Sequence, residues 1–318
     1  MTGINTAFAL ATGVGMTLTL MSGSLGAPQA AAATRTNCSP KPSTCGFPDA
    51  TNSGVPAGTR LTAVPGQATS GPGWAWKAST HTVDVTANGA TITGLHISGV
   101  LNIQANNVTV DKVEVTSNGD FFGISLRHTK DVTIEHSTIG GANNTAGRIG
   151  ASIHDVYGDS TGMLIKDNNI FFFKTAIQVT TGTVTGNYIH DTGFVPEDHT
   201  NGILDLGTTQ PLTIRDNTIL DDQDQTDAIS LGATGPGQPV AKKVVEDNLL
   251  GGGSYAIYGG ATHGNTTSGI VVKNNVFSQY YFPKSGKWGP VAYFDTAGVG
   301  NVWTGNTWDT TGATVPAS

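Results

Sequence analysis

The chain has 318 residues, 43 of them Gly, with 12% charged, 7% aromatic and a formal net charge of −7. Such a composition is short of the Lys, Glu and Leu that surface an ordinary helical or α/β enzyme. A hydrophobic content of 37% still suffices for a buried core and excludes disorder, and an acidic chain without a basic stripe excludes nucleic acid as a partner.

The first 33 residues carry no charge and run from an apolar stretch, Phe8 to Leu25, into small residues before Thr34-Arg35. This reads as a secretory signal peptide (1–33), although no Lys or Arg precedes the apolar run. Its Thr and Gly make it too polar for a stable membrane span, so the expectation is a secreted protein with no membrane partner. Residues 34–80 read as an N-terminal arm and cap. It contains the two cysteines, Cys38 and Cys45, and an even count at close spacing in an exported chain reads as one disulfide. Closing so small a loop stabilises by roughly 2–3 kcal/mol.

From 81 to 318 one pattern recurs: apolar residues, a polar pair, Asn, any residue, then an apolar residue. It stands as Leu164-Ile165-Lys166-Asp167-Asn168-Asn169-Ile170 and returns around Asn187, Asn217, Asn248, Asn275 and Asn306. Copies without the Asn lie around Val132–Ile139, Val108–Val115 and Ala90–Ile97. The closing apolar residues fall at 97, 115, 139, 170, 189, 219, 250, 277 and 308. Coils that cannot bury an apolar face alone must stack on their neighbours. The fold expected is all-β: a single-stranded right-handed parallel β-helix of about nine coils. Asn tolerates a left-handed backbone and bonds its own turn, and stacked copies can form an internal amide ladder.

A second strand in each coil places Gly, Ala or Ser before a buried Ile, as in Ser152-Ile153, Ala176-Ile177, Gly202-Ile203, Ala228-Ile229 and Ala256-Ile257. Alternation puts His154, Gln178, Leu204, Ser230 and Tyr258 outward in one column. Thr175, Asn201, Asp227 and Tyr255 are further stacked positions that precede the Ile. The C-terminal aromatics Tyr280, Tyr281, Phe282, Trp288, Tyr293 and Trp303 are expected to cap the open end of the solenoid, with sugar stacking as the alternative.

Four stretches carry a resemblance: Cys45-Gly46-Phe47-Pro48-Asp49-Ala50-Thr51-Asn52 with Gly54-Val55-Pro56, Asp198-His199-Thr200-Asn201-Gly202, Asn248-Leu249-Leu250-Gly251-Gly252-Gly253-Ser254-Tyr255, and Tyr281-Phe282-Pro283. They resemble the pectin lyase-like superfamily, more closely the secreted right-handed β-helix repeat proteins of actinobacteria. The resemblance implies the fold and leaves the reaction open among polysaccharide lyases, glycoside hydrolases, epimerases and adhesins.

Eight of the 23 acidic residues lie between Glu197 and Asp227, with Arg215 the one basic residue among them. Clustered carboxylates need a cation, a shared proton or solvent. In the lyase reading, placed first, Asp198, Asp222 and Asp227 bind Ca2+ and neutralise a uronate whose C5 proton is taken by His199. Arg148, Lys174, Asn201, Gln178 and Tyr258 then bind substrate. In the hydrolase reading Asp227 and Asp222 flank the glycosidic bond; Asn201-Gly202-Ile203 and Thr226-Asp227-Ala228-Ile229 loosely resemble polygalacturonase segments. The third reading is a non-catalytic glycan-binding or surface protein. The partner expected is a polysaccharide, and the chain is expected to be a monomer.

Overall fold

The computed structural model of the chain describes residues 35–232 and 235–317, so the expected signal peptide lies outside the described residues. Three sheets form the walls of a β-helix, parallel except where Ser70–Gly71, Trp74–Lys77 and Thr82–Val85 pair antiparallel at the start of the third. In each coil the chain passes from a strand of sheet 1 through a tight turn into sheet 2, and through a corner of variable length into sheet 3. The first full coil is Thr91–Thr93, Leu95–Ser98 and Val100–Ile103. The eighth is Thr266–Lys273, Val276–Phe277 and Gly289–Ala292, and Val302–Thr304 with Thr307–Trp308 begin a ninth. The expected nine coils are therefore eight complete and one partial.

The register agrees with the repeat. Ile97, Val115, Ile139, Ile170, Ile189, Ile219, Leu250, Phe277 and Trp308 pair in sequence along sheet 2. Along sheet 3, Ile124, Ile153, Ile177, Ile203, Ile229 and Ile257 form one inward row. The residue before each Ile is small because it also faces the core. A Cβ on Gly202 would stand 2.5 Å from Ile219 Cγ2 on the opposite wall. The outward column His154, Gln178, Leu204, Ser230, Tyr258 is present, as is the row Thr175, Asn201, Asp227, Tyr255.

The turn between sheets 1 and 2 is set by Asn168, Asn187, Asn217, Asn248, Asn275 and Asn306, all fully buried. Each Nδ2 donates to the Oδ1 of the next Asn at 2.9–3.0 Å. Ser137 extends the row, its N–H donating to Asn168 Oδ1. The left-handed residue is the one before each Asn: Asp167, Gly186, Asp216, Asp247, Asn274 and Gly305. The Asn itself keeps an ordinary backbone, which corrects the first half of the expectation and leaves the ladder.

The arm is a strap along sheet 2, running against the order of the coils. Asn37 N–H donates to Asp309 O at the last coil, and Cys38 and Ser39 N–H to the Asp309 carboxylate. Cys38 and Cys45 are joined by a disulfide, and Phe47 packs on Leu249 and Val276. Further on, Gly54 N–H donates to Asp167 O and Val55 N–H to Thr138 Oγ1, and Thr62–Val64 pairs with the first strand of sheet 2.

The expected aromatic cap divides in two. Trp303 closes the core against Phe277 and Phe294 and donates from Nε1 to Val315 O. Tyr280, Trp288 and Tyr293 are 57%, 60% and 57% exposed and lie outside the core cluster that Trp303 closes. Among the described residues no helix is long and apolar enough to cross a membrane.

Candidate functional site

The insertions fall at the corner between sheets 2 and 3, in segments 142–148, 191–200, 222–226 and 278–288. Glu197, Asp198, Asp221, Asp222 and Asp224 therefore do share one flank. Asp205 does not: it ends the strand Asn201–Asp205 on the far side of sheet 3. There it is fully buried with Lys243, whose Nζ stands 3.0 Å from Asp205 Oδ2 and donates to Thr180 O and Gln210 O. Burial pushes the Asp205 carboxyl up and the Lys243 amine down, and each partner pulls the other back.

Arg148 and Asp198, expected as substrate ligand and cation ligand, hold each other. The buried guanidinium grips both carboxylate oxygens, from Nε to Oδ2 and from Nη2 to Oδ1 at 2.6 Å. Val195 N–H donates to Oδ2 as well, and Lys174 Nζ lies 3.6 Å from Oδ1. Burial raises the Asp198 carboxyl, but the Arg148 hydrogen bonds and charge outweigh it and hold it below its ordinary value. Arg148 also reaches the exposed Asp120 at 3.0 Å. Cations from two earlier coils thus enter an acidic flank that contains few in its own sequence.

Asp222 is half-buried, its Oδ1 accepting from Thr192 N–H at 3.1 Å and from Thr192 Oγ1. His199 is exposed, and its backbone carbonyl accepts from Asn201 Nδ2 at 3.1 Å. His190 is fixed by Asp191 Oδ2 (2.7 Å), Asn169 Oδ1 (2.8 Å) and the stacked Tyr188 ring. His154 sits edge-on to Phe122, and burial lowers its pKa, followed by the charge of Arg127.

Asp227 lies on the stacked row of sheet 3 two residues before the Ile, between Asn201 and Tyr255, and only 1% of it is exposed. Asp221 ends the preceding sheet 2 strand, all four residues of which are buried, and is equally covered. Asp221 Oδ1 accepts from Gln223 N–H at 2.9 Å and Thr192 Oγ1 at 3.4 Å, while Oδ2 has no partner. Asp227 Oδ1 also has none. Burial pushes Asp221 up to about 8, with the Asp222 charge adding to it. Burial, then the Asp221 charge, pushes Asp227 well above the carboxylate range, against a hydrogen bond from Ser230. Burial and mutual repulsion thus favour the neutral form of both carboxyls. Gly252 and Gly253 of the next coil close over it. A Cβ on Gly253, whose φ is +71°, would stand 2.6 Å from Asp227 Cα.

Beyond Asp227 the row continues in rings. Tyr255 and Tyr258 meet at 5.7 Å, and Tyr258 stacks on the exposed Tyr293 at 5.7 Å. Burial raises the Tyr258 hydroxyl to about 12, and the Asp227 charge contributes.

The carboxylates expected to bind Ca2+ do not form a ligand set. Asp198 is saturated by a guanidinium that would repel the ion, Asp222 is turned to Thr192, and Asp227 is covered, with burial disfavouring its charged form. One other group, Asp111, Glu135 and His136 on sheet 1, has metal-like spacing. Lys112 lies 2.8 Å from Asp111 and Lys166 2.7 Å from Glu135, so its negative charge is already neutralised. Comparison of the chain with family models, curated proteins and solved structures gave no match.

Proposed function

We propose that the chain is an exported member of the pectin lyase-like superfamily that cleaves an extracellular polysaccharide laid along sheet 3. The reaction we favour is hydrolysis, with Asp227 as general acid. The observation that carries it is the Asp227 carboxyl: buried on the strand Asp227–Leu231, unpartnered at Oδ1, and pushed well above its ordinary pKa by burial and by the Asp221 charge. A carboxyl kept neutral at neutral pH is the group that protonates a leaving glycosidic oxygen. Half-exposed Asp222 in the same coil supplies the second carboxylate as base. Asn201 and Gln178 on one side and Tyr255, Tyr258 and Tyr293 on the other offer hydrogen bonds and ring faces to flanking sugars. Because Asp227 is covered in the free chain, binding has to displace a neighbour. We assign that movement to the Gly252-Gly253 turn that closes over it.

Incubation with a panel of plant and bacterial polysaccharides should release reducing ends without the absorbance of an unsaturated uronate. Asp227→Asn should lower that rate by about 100-fold or more, with the fold retained because Asn is isosteric. His199→Ala should leave it close to the parent. Unsaturated products lost in His199→Ala and kept in Asp227→Asn would replace hydrolysis by the lyase reaction. Glycan binding with no product from either would leave a binding protein.

A further inference from the structure

A second concave region lies on the same face, four and more coils before Asp227. It comprises a cavity of about 520 Å3 and an adjoining one of about 450 Å3 on the strands Trp74–Lys77, Thr82–Val85, Val100–Ile103 and Gly119–Leu126. Phe121 stands in the wall of both. The register of its strand shifts between Gly119 and Phe122, a bulge that turns the Phe121 ring outward and leaves it 66% exposed. Bulges of this kind re-aim a side chain next to sites.

The floor is a chain of hydrogen bonds with one open end. Asp84 is paired with Lys77 and accepts from Thr82 Oγ1 at 3.0 Å and Asn102 Nδ2 at 2.9 Å. Asn102 Oδ1 then accepts from Ser125 Oγ at 2.9 Å and from Arg127 Nε at 2.8 Å. Arg127 Nη1 donates to Tyr157 OH at 3.2 Å, and the guanidinium lies 5.8 Å from the Tyr157 ring centroid. The guanidinium is held at Nε, at Nη1 and over one ring. Among the described residues no carboxylate lies within ion-pair distance of it. Asp84, the one acid in the cavity wall, is committed to Lys77. A pre-oriented, unpaired guanidinium beside an exposed ring, in a chain of net charge −7, is built for an anionic ligand of planar fork geometry.

We propose that this groove binds the carboxylate of an acidic saccharide unit, a uronate, on the Arg127 fork, with the sugar ring against Phe121. Thr80, Thr82 and Gln104 in the same wall supply neutral donors and acceptors for hydroxyls. The assignment stands on residues that play no part in the Asp227 reading, and it holds whether or not the chain is a hydrolase.

Calorimetric titration with trimers of galacturonate, glucuronate and mannuronate, each against its fully methyl-esterified form, tests it. The esters keep the rings and hydroxyls and lose the charge. At least one acidic trimer should bind about tenfold or more tightly than its ester. Arg127→Gln should bring the acid down to the affinity of the ester. Phe121→Ala, at a surface position that leaves the fold intact, should weaken acid and ester together. Asp227→Asn should bind as the parent does, so failure of hydrolysis leaves this proposal standing. Equal binding of acid and ester, no effect of Arg127→Gln, or no binding of any acidic trimer would overturn it.

Discussion

The two corners that flank sheet 2 follow opposite rules. At the turn from sheet 1, later coils repeat the same solution: one left-handed residue, then one fully buried Asn whose amide is taken up by the rungs on either side. No Asn of that ladder has a buried side-chain atom without a partner. At the turn into sheet 3 the connection varies from one residue, Phe172, to the eleven of 278–288. Two carboxyl oxygens there are buried and unpartnered. Polar groups repeated and satisfied along the axis fix the coil and its register. Polar groups that differ from coil to coil and are left unsatisfied destabilise, and are the better place to look for chemistry.

The ladder side of the contrast breaks most heavily in the middle. Asn217→Ala removes the acceptor of Asn187 N–H and Nδ2 and the donor to Val184 O, Arg215 O and Asn248 Oδ1. With about 1–3 kcal/mol for each buried group left unpaired, the loss should be at least about 4 kcal/mol by denaturant unfolding. A loss of about 1 kcal/mol would mean that the ladder decorates a coil already fixed by its Ile rows. Next in size, at the far edge of sheet 3, is Lys243→Met. It leaves the Asp205 carboxyl buried without its cation and should cost about 3–5 kcal/mol, while Asp205→Leu combined with Lys243→Met should recover most of it. If the single variant costs as little as the double, the pair is not held as ions.

The fold was legible because its signals are repeated. Nine apolar marks, six Asn and a column of Ile preceded by small residues each state the same coil, and the sheet registers follow them residue by residue. The flank was legible for the same reason, since insertions lengthen the interval between marks. The pairings were not. Nothing in the spacing says that Arg148 crosses two coils to Asp198, because loop conformation decides which acid a cation meets. Asp221 could have been found: it follows the apolar run Ile219-Leu220 within a strand that is buried along its whole length. The Gly252-Gly253 pair, read as part of a resemblance, has a local cause in the backbone it must clear at Asp221 and Asp227. Exposure of Tyr280, Trp288 and Tyr293 could not be read from composition, since an aromatic cap and an aromatic platform have the same residues.

The smallest effect is the most specific to the corner. Asp221 has an ordinary pKa of 3.8 and is pushed up to about 8 in the folded chain. Below pH 4 both folded and unfolded chains hold its proton. Between about 4 and 8 the folded chain keeps a proton that the unfolded chain has released, so stability falls as pH rises through that window. Asp227 acts in the same direction. Asp198 and Asp191, whose partners hold them below the ordinary value, lose their contribution only at lower pH, outside the window. Asp221→Asn keeps the Oδ1 acceptor of Gln223 N–H and cannot ionise. Its melting temperature should fall less steeply than the parent's from pH 5 to pH 8, with a gain of about 1 kcal/mol or more at pH 8. A matching substitution in the ladder only destabilises, at every pH. If Asp221→Asn instead costs stability and leaves the slope unchanged, its carboxyl is satisfied as fully as the ladder amides, and the difference between the two corners is one of loop length alone.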